Sequence, residues 1–138
     1  MKVLFVCRGN VARSQIAEAL YNQITKTSDA SSAGTQVDHP GETLCARKKR
    51  VGASNAVDVM NDYGLSPNNK VQKQLTKDNL KEYDLVVSMA GKRYTPKWLS
   101  TSPKYRYWKI SDPKARGYKV TEKTMKQIEY NIRNLLLG

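Results

Sequence analysis

The 138 residues are enough for one domain with its own core, and 24 Lys and Arg against 12 Asp and Glu leave a formal net charge of +12. No run approaches the roughly eighteen apolar residues of a membrane span, the Val3–Val6 run is too short for a signal peptide, and two distant cysteines, Cys7 and Cys45, form neither a disulfide framework nor a zinc ligand set. The expectation is a single-domain (residues 1–138), soluble, cytoplasmic monomer with reduced thiols and an anionic partner.

Val3-Leu4-Phe5-Val6 is a short β-prone run suited to a strand buried on both faces, and it ends at Cys7. From Ser14, placed to cap a first turn, Ile16, Ala17, Leu20, Tyr21 and Ile24 recur at helical spacing. Ala30 to Ala33 reads as a second strand broken by Gly34, and Val37 to Ser54, rich in Gly, Pro, Ser and basic residues, as a long exposed loop. Its one basic run, Arg47-Lys48-Lys49-Arg50, is read as a solvated face and not a nucleic-acid patch. Ala56, Val59, Met60 and Tyr63 make a helical stripe stopped by Gly64. A brief helix over Leu75–Tyr83 leads into a third strand, Leu85–Met89, and Trp98-Leu99 mark another helical turn. Tyr105–Ile110 is the fourth strand, and Met125, Ile128, Ile132, Leu135 and Leu136 define an amphipathic C-terminal helix.

Strands alternating with helices predict an α/β fold, a parallel twisted sheet of about four strands with helices on both faces. Such sheets bind ligands beyond the carboxyl ends of their strands, where Cys7 follows the first strand and Asp112 the fourth. Between Cys7 and Arg13 stand five residues, Arg8, Gly9, Asn10, Val11 and Ala12, and Ser14 comes next. That spacing alone is weak, but a loop between an apolar strand and a helix turns its amides toward one anion at the positive end of the helix dipole, and Gly9 permits the tight turn. Residues 8–14 are therefore the candidate phosphate-binding loop. A thiolate is the attacking form of cysteine, and the helix N-terminus, Arg13 and Ser14 are groups that favour it. The planar guanidinium of Arg13 can clasp two phosphoryl oxygens. Asp112-Pro113 places a carboxyl in a turn, able to protonate a leaving oxygen and then activate water. Asn10 is either a brace, bonding Ser32, or a turn residue with an unusual backbone angle. His39 has no ligand-spaced partner and reads as a loop histidine, and neither metal nor cofactor is expected.

Cys7-x-Gly9-Asn10-x-x-Arg13-Ser14, Ser32-Ala33-Gly34-Thr35, Gln74-Leu75-Thr76, Asp84–Met89 and Asp112-Pro113, in that order, resemble the low-molecular-weight protein tyrosine phosphatases over nearly the whole chain. The resemblance implies a nucleophile at Cys7, a phosphate-binding arginine at Arg13, a general acid at Asp112 and no metal. Arsenate reductases share the fold, and Arg13–Glu18 and Asp112-Pro113-x-Ala115-x-Gly117 look like theirs. The thioredoxin-linked reductases need cysteines after the third strand, where this chain reads Met89-Ala90-Gly91-Lys92-Arg93, so a reductase here would use an external thiol. Ala12 stands where many family phosphatases carry a second cysteine, and Lys114 and Ala115 stand where aromatic residues usually flank phosphotyrosine. The partners expected are thus a phosphorylated substrate or an oxyanion, phosphate or arsenate, with a more anionic or smaller ester in competition with phosphotyrosine. A catalytically silent anion or nucleic-acid binding module is the reading from a different class.

Overall fold

The computed structural model describes residues 1–138. Four strands, β1 (Val3–Cys7), β2 (Ala30–Gly34), β3 (Leu85–Ser88) and β4 (Tyr105–Tyr107), form one parallel sheet in the order β2-β1-β3-β4. The chain moves from β1 to one side and then crosses to the other, so the strand order reverses beside β1 and opens a crevice at its carboxyl end. Cys7 sits at that point, in register with Gly34.

The period of two along β1 divides the core. Val3, Phe5 and Cys7 face a large cluster that includes Ile16 and Leu20 of α1 (Arg13–Thr25), Val59 and Met60 of α3 (Asn55–Asp62), and Met125, Ile128 and Ile132 of α6 (Tyr118–Leu136). Leu4 and Val6 face a smaller one with Ala33, Leu75, Val86 and Leu99, the last from the single turn α5 (Lys97–Ser100). Helices thus cover both faces, as expected, with most of the apolar burial on the α1 side.

Several boundaries differ from the sequence reading. The expected loop over residues 37–54 contains an eight-residue helix, α2 (Leu44–Val51), capped by Thr43, whose hydroxyl accepts from Ala46 N at 3.1 Å, and stopped by Gly52 at φ +101°. Only Leu44 of that helix is buried, so its basic sequence carries no apolar stripe. Leu75–Tyr83 contracts to one turn, α4 (Asn79–Glu82). β4, an edge strand paired with β3 alone, ends at Tyr107; Trp108 N still donates to Ser88 O, after which the chain departs. Asp112 therefore lies in a connecting loop beyond β4. Leu136 is exposed, and the buried stripe of α6 is Thr121, Thr124, Met125, Ile128 and Ile132.

Candidate active site

Ser14 does not cap α1. Its side chain is buried, with Oγ 2.9 Å from Cys7 Sγ, and the helix begins at Arg13 without any side-chain cap. Asn10, fully buried at φ +56°, holds this pair. Its Oδ1 accepts from the backbone N–H of Lys73 at 2.8 Å, which fixes the amide orientation, and its Nδ2 then donates to Ser14 Oγ at 2.8 Å. With Ser14 Oγ accepting from Asn10, its hydroxyl proton is free to point at the sulfur. Asn10 is thus both brace and left-handed turn residue. The expected bond to Ser32 is absent, since Ser32 donates instead to Glu18 Oε1 at 2.9 Å.

Gln15 completes the brace, its Nε2 donating to Asn10 O, Asn10 Oδ1 and Val71 O. Gly34 makes room for the loop: a Cβ there would lie 2.8 Å from Arg8 O and 2.9 Å from Asn10 N. Neither role follows from the residue type alone: the sequence marks Gln15 and Gly34 as parts of motifs without saying what either touches, and Gly34, expected to break the second strand, is the last residue of β2.

None of the backbone N–H groups of residues 8–14 donates to another protein group. A stretch of seven unpaired amides at a helix N-terminus is what an oxyanion satisfies. The Arg13 side chain is 7 % exposed; one terminal nitrogen donates to Met89 O and to Ile110 O, the latter at 2.9 Å, and the other stands 3.8 Å from Asp112 Oδ2. Strand ends therefore fix the guanidinium before any ligand arrives. Asp112 is half-exposed and accepts from Lys114 N at 3.0 Å, in a loop where Ala115 adopts φ +60°. Arg8, by contrast, turns its side chain away: Nε donates to Gln36 and the guanidinium lies 4.1 Å over the Tyr94 ring, leaving its backbone N–H as its contribution to the loop.

Cys7, Gly9, Val11, Ala12 and Arg13 line a cavity of about 490 Å³ that Asp112, Pro113, Lys114 and Ala115 also border. The α2 side contributes Arg47 and Arg50, so half of the basic run borders this cavity and is not merely a solvated face. Arg50 is held by Glu42 through bonds of 2.8 and 2.9 Å, and this contact keeps the Glu42 carboxyl well below its ordinary range, at about 2. No Phe, Tyr or Trp lines the cavity. Tyr118, the first ring after Asp112 in sequence, donates to Asp62 Oδ2 at 2.6 Å, which pushes its hydroxyl up to about 12.

A four-stranded parallel sheet with a cysteine, a buried arginine and a run of unpaired amides at its switch point puts the chain in a class of single-domain α/β proteins that carry their site at the carboxyl ends of the strands. Within that class, the chain belongs to the low molecular weight phosphotyrosine protein phosphatase family, which matches residues 2–137. It is 26% identical over 137 residues to the glutaredoxin arsenate reductase of Synechocystis, covering 98% of this chain and 95% of that one. It is 35% identical over 89 residues to a putative low molecular weight protein-tyrosine-phosphatase of Klebsiella pneumoniae, covering 63% and 54% of the two. The crystal structure of the low molecular weight protein tyrosine phosphatase from T. tengcongensis superimposes with a TM-score of 0.79 at 27% identity, covering 99% of this chain and 97% of that one.

Proposed function

We propose that the chain is a phosphomonoester phosphatase that works through a phosphocysteine. Cys7 Sγ attacks phosphorus, the S–P bond forms as the ester P–O bond breaks, and Asp112 in its acid form gives its proton to the departing oxygen. Water then attacks phosphorus, the S–P bond breaks, and the water proton returns to Asp112. The backbone N–H groups of Arg8, Gly9, Asn10, Val11, Ala12, Arg13 and Ser14 and the Arg13 guanidinium hold the equatorial oxygens as charge spreads over them. The observation that carries this reading is the run of unpaired amides over residues 8–14 beside Cys7 and a pre-anchored Arg13. Neither step needs a cofactor. Both cysteines are free, which suits a reducing cytoplasm, and no helix is long and apolar enough to cross a membrane.

Steady-state hydrolysis of p-nitrophenyl phosphate tests it. Cys7→Ser abolishes turnover, Arg13→Lys loses most of it, and Asp112→Asn slows alkyl esters more than aryl ones because poor leaving groups depend most on the acid. Full activity in Cys7→Ser overturns the reading. Arsenate reduction is the second reading, favoured by the full-length similarity to the Synechocystis reductase and by Ala12, which leaves no second thiol in the loop. Arsenate-dependent oxidation of reduced glutaredoxin or glutathione supports it, and no oxidation with either donor excludes it.

A further inference from the structure

The cavity is larger than a phosphoryl group requires, and its α2 wall carries charge that the phosphate loop does not use. About 490 Å³ falls within the roughly 300–1,000 Å³ of small-ligand pockets, leaving room for the rest of a small ester. Four cations line it, Arg13, Arg47, Arg50 and Lys114. Arg13 is anchored on two carbonyls beside Asp112, and Arg50 is clasped by Glu42 and also feels Asp38. Arg47 is partly buried, yet its guanidinium has no carboxylate within 4.0 Å and no hydrogen-bond partner, and the Lys114 ammonium is equally free. In the same helix Lys48 is paired with Asp58, and Lys49, which is also unpaired, is exposed and does not border the cavity.

No Phe, Tyr or Trp ring lines the cavity to stack on an aromatic leaving group, although Val11, Val51 and Pro113 give it apolar surface. Tyr94 lies beneath Arg8 and Arg93, Tyr63 donates to Glu122 and Tyr118 donates to Asp62.

Building on the phosphatase reading, we propose that Arg47, supported by Lys114, is a second anion subsite, and that the substrate is a small non-aromatic phosphomonoester carrying another anionic group, a carboxylate or a second phosphate. The Cys7–Ser14 loop takes the phosphate to be cleaved. Arg47 takes the other anion with the forked donor geometry that suits carboxylate and phosphate alike. Against these four cations the cavity sets only the two carboxylates of Asp38 and Asp112, so its lining stays net positive and favours an anionic over a cationic leaving group.

The test is kcat/KM of the purified protein on phosphoglycerate and fructose bisphosphate against glycerol phosphate, with p-nitrophenyl phosphate and an acidic phosphotyrosine peptide alongside. A charge-assisted hydrogen bond predicts about a tenfold preference for each doubly anionic ester over glycerol phosphate. Arg47→Ala brings that ratio to about one, and Arg47→Lys retains part of it. A wild-type ratio near one, a ratio that survives Arg47→Ala, or a phosphotyrosine peptide preferred over every small ester overturns the proposal while p-nitrophenyl phosphate turnover leaves the phosphatase reading standing. Absence of any turnover defeats that reading separately. The subsite then rests on calorimetry with inorganic pyrophosphate and phosphate: a pyrophosphate preference lost in Arg47→Ala supports it, and equal affinities overturn it.

Discussion

An alanine at position 34 would put a methyl group into the back of the Cys7–Ser14 loop. The added Cβ lies 2.7 Å from Val37 Cγ2, 2.8 Å from Arg8 O and 2.9 Å from Asn10 N. Carbon contacts are comfortable near 3.5–4.0 Å, so each approach is short by roughly half an ångström or more. Val37 can give way, but Arg8 O accepts from Gln36 N at 2.8 Å and Asn10 is held by Lys73 and Gln15, so two of the three obstacles are fixed backbone. Overpacking of this kind costs about 1–3 kcal/mol. For a chain of this size about 2 kcal/mol lowers Tm by roughly 6–8 °C, and a loop displaced by a fraction of an ångström costs about 10- to 100-fold in kcat/KM. Thermal denaturation followed by circular dichroism and steady-state p-nitrophenyl phosphate hydrolysis read the two effects. Gly9→Ala is the stability control, because nothing lies within 4 Å of a Cβ added there. A Gly34→Ala protein with wild-type Tm and turnover within about twofold of normal would refute the steric argument.

Asn10→Ala removes the acceptor for Lys73 N and the donor to Ser14 and leaves a β-carbon residue at φ +56°, so a loss of about 2–4 kcal/mol in urea denaturation is expected; a loss under about 1 kcal/mol would show the brace to be dispensable. Ala115→Gly relieves a left-handed alanine in the Asp112 loop and raises stability by about 0.5–1 kcal/mol by the same assay, and a decrease would contradict the strain assigned there. Glu42 is depressed from 4.5 to about 2, chiefly by its hydrogen bonds to Arg50, so its pairing contributes fully above pH 4.5 and is lost as pH falls toward 2. Glu42→Gln should therefore flatten the Tm profile across that acid window, and an unchanged profile would count against the pairing.

The strand-to-loop-to-helix start was readable because its two periods are clean: five buried residues in β1, then Ile16, Ala17 and Leu20 at helical spacing. The residues of the Cys7–Ser14 loop were readable as a motif, but their mutual arrangement was not. Ser14 fits the pattern of a helix cap, and only the fold reveals that its hydroxyl faces Cys7. Asn10 pairs with Lys73, sixty-three residues away, through a backbone N–H that no side-chain pattern encodes. Helix α2 escaped notice because a helix that buries one leucine has no stripe to detect; Thr43 and Gly52 were its only signals. The wall built by Arg47 and Arg50 went unread with it, since a basic run looks alike whether it borders water or a cavity.

The anchoring of Arg13 on Met89 O and Ile110 O ties the first loop of the chain to segments that close only late in the sequence. On the proposed reading of the site, ligand capture and global folding thereby become one coupled equilibrium. An oxyanion at a hundred times its dissociation constant would add about 2.7 kcal/mol to the unfolding free energy, so the same molecule would resist a protease better in phosphate-rich medium than in phosphate-starved medium.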